Sequence, residues 1–344
     1  MFVVMNKLIS NKIYITTFVL AILIIAIHSS CVGYLNSETS GYTFSYVIQR
    51  MIITIADAAV PLFFVISGYL LFRNFTLKSY PRMLLKKVFS LVIPYFIWSV
   101  TGFIIIRLIY PLIVNGAIEL TFKDAVLDIL LANCCPQIWF VRPLLVYFIC
   151  SPILYFAFKY LRKWSIAIPV ILFIIYFFFK PYYSGILFWI PFFFIGSFLS
   201  YFNVMIQNHY RPQIIGAISL IILVSVGTLF GIFDIDMAES HIYFVYRYIG
   251  PVLLWMAMDV AYNLFLKEEV GQVFKISAFL FFSHTFITFS LHALLDVLIH
   301  VDVNMIYLLE FFIIWSISSG VLILLGYVLK RFMNPVYKVI TGRS

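Results

Sequence analysis

Apolar runs of bilayer length, separated by short polar breaks, recur along the whole of this 344-residue chain. At roughly 20 residues per crossing, helices are expected near 13–30, 51–72, 88–110, 138–158, 164–180, 185–202, 212–233, 243–265, 276–299 and 304–329. This pattern predicts an all-α polytopic membrane protein with about ten transmembrane helices. The fifth and sixth spans are short, and only Pro181, Tyr182, Tyr183, Ser184 and Gly185 separate them. No internal period, coiled coil, low-complexity linker or soluble appendage interrupts the series, so 1–344 reads as one membrane-embedded domain. The first run stands where a secretion signal would. Its apolar length exceeds the usual signal core, and His28 occupies the third place before Cys31, where a lipoprotein signal needs an aliphatic residue. It reads as a retained helix.

Composition agrees with the pattern. The chain is 64% hydrophobic and 11% charged, with a mean hydropathy of +1.07, whereas soluble domains run near half apolar and one quarter charged. A formal charge of +9 invites thoughts of nucleic acid, but the placement of the cations gives membrane topology as the reason. Lys7 and Lys12 precede the first span. Arg73, Lys78, Arg82, Lys86 and Lys87 separate the second from the third, and Lys159, Arg162 and Lys163 the fourth from the fifth. Arg211 precedes the seventh span, Lys267 and Lys275 the ninth, and Lys330, Arg331, Lys338 and Arg343 follow the tenth. All fall on one side. The other side carries Glu38, Glu119, Asp124, Asp128, Asp234, Asp236, Glu239 and Asp302, with Arg50 and Lys123 as its cations. Both termini are therefore expected in the cytoplasm and the chain in the inner or plasma membrane. The longest outer segments, about 31–50 and 111–137, are expected to form short interfacial helices or a vestibule facing an acceptor.

Within the first span one side chain is ionisable. His28 lies near its outer end, and an intramembrane ionisable group is a functional-site candidate unless its ring nitrogens are simply bonded to backbone or water. The cysteines Cys31, Cys134, Cys135 and Cys150 lack zinc-type spacing, so no metal is expected from them.

Several local patterns gain meaning from their order. TFVLAILIIAIH runs from Thr17 to His28, PLFFVISGYLLF from Pro61 to Phe72, and KKVFSLVIPYFIW from Lys86 to Trp98. WFVRPLLVYFICSPIL follows from Trp139 to Leu154, PFFFIGSFLS from Pro191 to Ser200, and SAFLFFSHTFI from Ser277 to Ile287. In this order and spacing the chain resembles the acyltransferase-3 family of multi-pass membrane O-acyltransferases. The resemblance implies transfer of an acyl group, most often acetyl from acetyl-CoA, to a sugar hydroxyl of an extracytoplasmic glycan or glycolipid, with His28 at the position of the family's essential histidine. The family places an arginine eleven residues earlier, where this chain has Thr17. Either another cation serves, with Lys12 nearest, or the activity is changed; Thr17 stays among the donor-binding candidates.

The chemistry of the residues is compatible with that implication. Acylation of an alcohol needs a base that works near neutral pH, which suits histidine. At about 1.5 Å per residue, Lys12 and His28 lie roughly 24 Å apart along one helix, so a cytoplasmic thioester has to reach far into the bundle or the acyl group has to be relayed. The loop bearing Arg73, Lys78, Arg82, Lys86 and Lys87 has no acid and suits the phosphates of a CoA donor; fixing topology or touching anionic lipid would use the same residues. Arg142 can hold a carbonyl oxygen or a sugar hydroxyl while Trp139 stacks on a sugar ring, or the two form an interfacial anchor. Asp57 either orients His28, balances Arg142 or is a helix-start acid. His284 either lines the donor channel near the cytoplasmic end of the ninth span or is a packed structural histidine. His292, Asp296 and His300 share one helical face and read as an interfacial polar stripe without chemistry. Ser67 and Gly68 read as a point of close helix packing or of backbone access to a ligand rather than as a nucleophile, since no G-x-S-x-G elbow surrounds the serine.

Two other functions are compatible with the same residues. A transporter or flippase of a lipid-linked glycan or small solute would need intramembrane polar groups but no CoA-phosphate site, and a catalytically silent relative would explain Thr17.

Overall fold

The computed structural model describes residues 7–35, 43–115, 120–179, 185–204, 211–237, 239–265, 270–298 and 304–342. Glu38, Glu119, Lys267, His300, Asp302, Arg343 and the turn 181–184 lie outside the described residues. Every regular element within them is helical.

Besides a short helical turn at Val32–Leu35, the helices in chain order are α1 (Lys7–His28), α2 (Phe44–Asp57), α3 (Ala59–Phe72), α4 (Tyr80–Ile113), α5 (Phe122–Leu131), α6 (Val141–Ile149) and α7 (Ser151–Leu161). There follow α8 (Ala167–Phe179), α9 (Ile190–Tyr201), α10 (Pro212–Ile232), α11 (His241–Phe265), α12 (Ser277–Leu298), α13 (Asn304–Phe332) and α14 (Asn334–Thr341). Seven helical stretches are long and apolar enough to cross a membrane, and an eighth is added if α5 and the segment Pro136–Ile149, inclined at 50° to each other, make one broken span. The expected ten are not all established on this measure. The apolar stretch containing α9, Leu187–Tyr201, is short, and α11 carries Arg247 and Asp259 among its apolar residues.

Local chemistry explains several boundaries. Thr43 caps α2 by accepting from the Tyr46 amide at 3.3 Å, and Thr121 caps α5 by accepting from the Asp124 amide at 3.1 Å, which satisfies donors that a helix start leaves unpaired. At the end of α5 the chain turns through Ala132, in the left-handed region at φ 53°, and Pro136 opens the next turn. The outer segment expected at 111–137 therefore contains α5, the first limb of a bent helix pair. The span drawn over 138–158 is likewise interrupted at Cys150, and a 3-10 turn at Arg162–Ile166 joins α7 to α8. Helices α2 and α3 together form one apolar stretch, Phe44–Phe72, so the second crossing begins earlier than the hydropathy pattern suggested.

Glycines set the closest crossing. A Cβ on Gly196 of α9 would sit 1.9 Å from the Val65 carbonyl oxygen of α3, and one on Gly68 would sit 2.2 Å from that of Phe193. Small residues let helix backbones approach where lipid supplies no hydrophobic drive between helices. Gly227 brings α10 onto Met51 of α2 in the same way. Helix α1 runs through the bundle, with Trp315 of α13 donating to its Ile22 carbonyl at 2.9 Å. At the end bearing the basic loops, α14 lies across the helices: Trp98 donates to the Ile340 carbonyl at 2.8 Å and the Tyr337 hydroxyl to the Lys275 carbonyl at 3.4 Å.

Candidate active site

Helix α1 ends at His28 because the next residue turns its polar groups back on the helix: Ser29 Oγ donates to the Ile25 carbonyl at 2.8 Å. His28 is thereby held beside α12. Its ring centroid lies 4.9 Å from that of His284, with the planes inclined at 49°. His284 is fully buried. Its Nδ1 lies 2.8 Å from the Phe281 carbonyl oxygen and 3.3 Å from that of Leu280. A carbonyl can only accept, so Nδ1 carries the proton, and in the neutral ring Nε2 holds the free lone pair. Nε2 is buried and has no hydrogen-bond partner among the described residues. Two histidines expected to lie at different depths, one in the outer half and one lining a donor channel, thus face each other.

The segments singled out in the sequence converge on the same turn of α12. Phe63 of α3 packs edge-on against Phe281 at 5.5 Å, and Phe140 against the same ring at 4.2 Å. Gln137 donates to the Phe282 carbonyl at 2.9 Å, which anchors the turn before α6. Trp139 lies 5.4 Å from Trp189, and Trp189 stacks on Phe64 at 5.0 Å. Arg142 follows in the first turn of α6 and is partly exposed. Its guanidinium makes no hydrogen bond or ion pair with a described residue.

Asp57 goes elsewhere. Expected to orient His28, to balance Arg142 or to be a helix-start acid, it accepts from Arg247 Nε at 3.1 Å, since α11 brings a guanidinium to its side of α2. Arg247 also lies over the rings of Tyr243 at 5.1 Å and Phe188 at 5.7 Å. Lys12 is similarly engaged: it bonds Asp259 at 2.6 Å and stands 4.3 Å from the Trp255 ring centroid. Thr17 donates to the Tyr14 carbonyl at 3.1 Å and accepts from Ser277 at 3.4 Å. Lys275, 5.9 Å from the Tyr14 ring centroid, brings a cation to that stretch of α1.

The basic loop opens onto a groove of about 880 Å³. Arg82, Lys86 and Lys87 line it together with Ser79, Ser90 and Gly342. Arg73 is not among its lining residues, and its Nε is buried without a hydrogen-bond partner among the described residues. A second cavity, about 490 Å³ and mainly apolar, is lined by Lys12, Asp259, Trp255 and Tyr248 among others.

Sequence reasoning passed over Arg247, Asp259 and Glu310, all nine-tenths or more buried. The signal was available, because the rule that marked His28 applies to any charged group in an apolar helix. His292, expected in an interfacial polar stripe, has its Nδ1 3.7 Å from Glu310 Oε1 and its Nε2 3.2 Å from the His28 carbonyl oxygen. Asp296 is exposed. Gly68 fits the expected close packing, at the crossing of α3 and α9.

No curated protein and no solved structure matches the chain. A family model described as an acyltransferase domain does match, over residues 18–331. The matched region begins immediately after Thr17, takes in His28, His284 and the whole of the aromatic convergence around Phe281, and covers most of the chain. The chain therefore belongs to the acyltransferase-3 family and is a multi-pass membrane acyltransferase.

Proposed function

We propose that this protein transfers an acetyl or other short acyl group from acyl-CoA, presented at the basic end of the bundle, to a hydroxyl of an extracytoplasmic or lipid-linked saccharide. His28 is the general base. It takes the proton of the acceptor hydroxyl as that oxygen attacks the thioester carbonyl, and returns the proton to the CoA thiolate when the carbon–sulfur bond breaks. The observation that carries this reading is the facing pair of imidazoles, 4.9 Å apart, at the end of α1. His284 is a positioning residue. Its Nδ1 proton is committed to backbone carbonyls, which leaves Nε2 as an unused acceptor in a ring 4.9 Å from that of His28, available to hold the His28 ring in one tautomer when that ring turns toward it.

Arg142, whose guanidinium is not hydrogen-bonded to any described residue, suits the developing charge on the tetrahedral intermediate or an acceptor hydroxyl. Trp139, one turn earlier, suits stacking on a sugar ring. The groove lined by Arg82, Lys86 and Lys87 supports recognition of the CoA phosphates, for which lysine and arginine are the usual partners. Arg73 and Thr17 are placed less directly for donor contact.

The deciding experiment compares the cell-envelope glycans of cells with and without the protein by mass spectrometry, alongside acetyl-CoA turnover by the purified protein. Loss of an acyl mass increment with the protein, and its return with wild type but not with His28→Ala, is expected. Unchanged glycans together with no acetyl-CoA binding or turnover would turn the reading towards a transporter.

A further inference from the structure

Just beyond the histidine pair, three side chains from distant stretches of the sequence come together. Cys31 Sγ, His292 Nδ1 and a Glu310 carboxylate oxygen all lie within 4.8 Å of one another. Cys31 is fully buried and Glu310 is 4% exposed. The convergence is built by Gln49 of α2, which accepts from the Cys31 amide at 2.9 Å and donates to the Tyr307 carbonyl at 3.3 Å. It thus ties the segment after α1 to α13, one turn from Glu310.

The hydrogen bonds fix which atoms are available. His292 Nε2 lies 3.2 Å from the His28 carbonyl oxygen and must donate to it, so in the neutral ring the lone pair is on Nδ1. Nδ1 is 3.7 Å from Glu310 Oε1, beyond hydrogen-bond length, and Oε1 is buried with no hydrogen-bond partner among the described residues. The Cys31 thiol makes a long contact of 3.8 Å to the Ser29 carbonyl and lies within electrostatic reach of the Glu310 carboxylate. Asp296, one helical turn beyond His292, adds a second carboxylate within reach of Glu310. Sulfur, nitrogen and oxygen donors thus converge on one point, where the buried Glu310 Oε1 lacks a hydrogen-bond partner among the described residues and a buried polar group needs a partner or a metal.

We propose that Cys31, His292 and Glu310 form a binding site for a divalent transition metal, zinc in the first place, which clamps the end of α1 to α12 and α13. One thiolate, one imidazole and one carboxylate form a donor set that zinc accepts, with a fourth position left for water or another group. The outward bond from His292 to a backbone carbonyl is the arrangement that orients metal-bound histidines elsewhere, and here that carbonyl belongs to His28. Binding displaces the Cys31 thiol proton to solvent. This site does not depend on the identity of donor or acceptor.

The full chain, purified in detergent under reducing conditions and stripped with chelator, is titrated with Co²⁺. The expected result is one Co²⁺ per chain with a thiolate-to-metal charge-transfer band, displaced by Zn²⁺, and a raised melting temperature in Zn²⁺. Cys31→Ser should abolish the band while eluting as the same folded species, and Glu310→Gln should weaken binding by at least about tenfold. The proposal is overturned if wild type gives no thiolate band in excess Co²⁺, or if the band persists in Cys31→Ser. The wild-type titration decides the matter even where a variant fails to fold.

Discussion

The imidazole of His284 faces that of His28 across 4.9 Å and keeps its only free nitrogen buried. Neither ring alone would distinguish a catalytic from a packed histidine. Together they differ in one respect: the His284 ring is pinned to backbone carbonyls through Nδ1, and the proposed general base, His28, sits against it at the end of α1.

Replacing His28 with alanine should lower acyl transfer by about 10²- to 10⁴-fold, the usual contribution of a general base, while leaving membrane insertion and elution profile unchanged. His284→Gln should retain more activity than His284→Leu, because an amide oxygen restores an acceptor near the Nε2 position. Rates of acyl transfer by purified variants check both. Equal rates for the two His284 variants would remove its positioning role.

The groove at the basic end gives a separable prediction. Arg82→Gln and Lys86→Gln should raise the KM for acetyl-CoA by about tenfold, as loss of a charge-assisted phosphate contact implies, with little change in kcat. The effect should shrink with dephospho-CoA thioesters, which lack one phosphate. A kcat loss at unchanged KM would place these residues outside donor binding.

The Asp57–Arg247 pair is nearly inaccessible on both sides. Breaking it by Asp57→Asn or Arg247→Met should destabilise the protein by about 3–5 kcal/mol, because each removes a counter-ion from a buried charge. The double variant should recover a large share of that loss. Thermal unfolding of the four species in one detergent forms the required cycle.

At the helix crossing, Gly196→Ala should cost about 1–3 kcal/mol, the range for overpacking a tight core, since the added methyl meets the Val65 carbonyl oxygen. Gly320→Ala provides the control, as nothing lies within 4 Å of the place its methyl would take. Comparing the melting temperatures of the two variants tests the contrast.

Much of the architecture was written in hydropathy, because a lipid-facing helix must be apolar over its full length whatever it packs against. Helices α1, α10, α12 and α13 follow the expected runs closely. The break at Ala132–Cys135 and the interruption at Cys150 were hidden, because these depend on turn geometry inside apolar sequence. The site was partly legible for the same reason. His28 stands out as an ionisable group in hydrocarbon, but which groups meet it depends on helix rotation and depth, and neither leaves a mark in a single sequence. His284 was therefore set at another level, and Asp57 was given partners that α11 displaces with Arg247. Glu310 was passed over because its helix was read only for length.

The Gly68–Gly196 contact has a mechanical corollary. With carbonyl oxygens of one helix resting where the other would carry side chains, α3 and α9 cannot slide or roll past each other and must travel as a single rigid piece. Any rearrangement of the bundle therefore has to be hinged elsewhere than at this crossing.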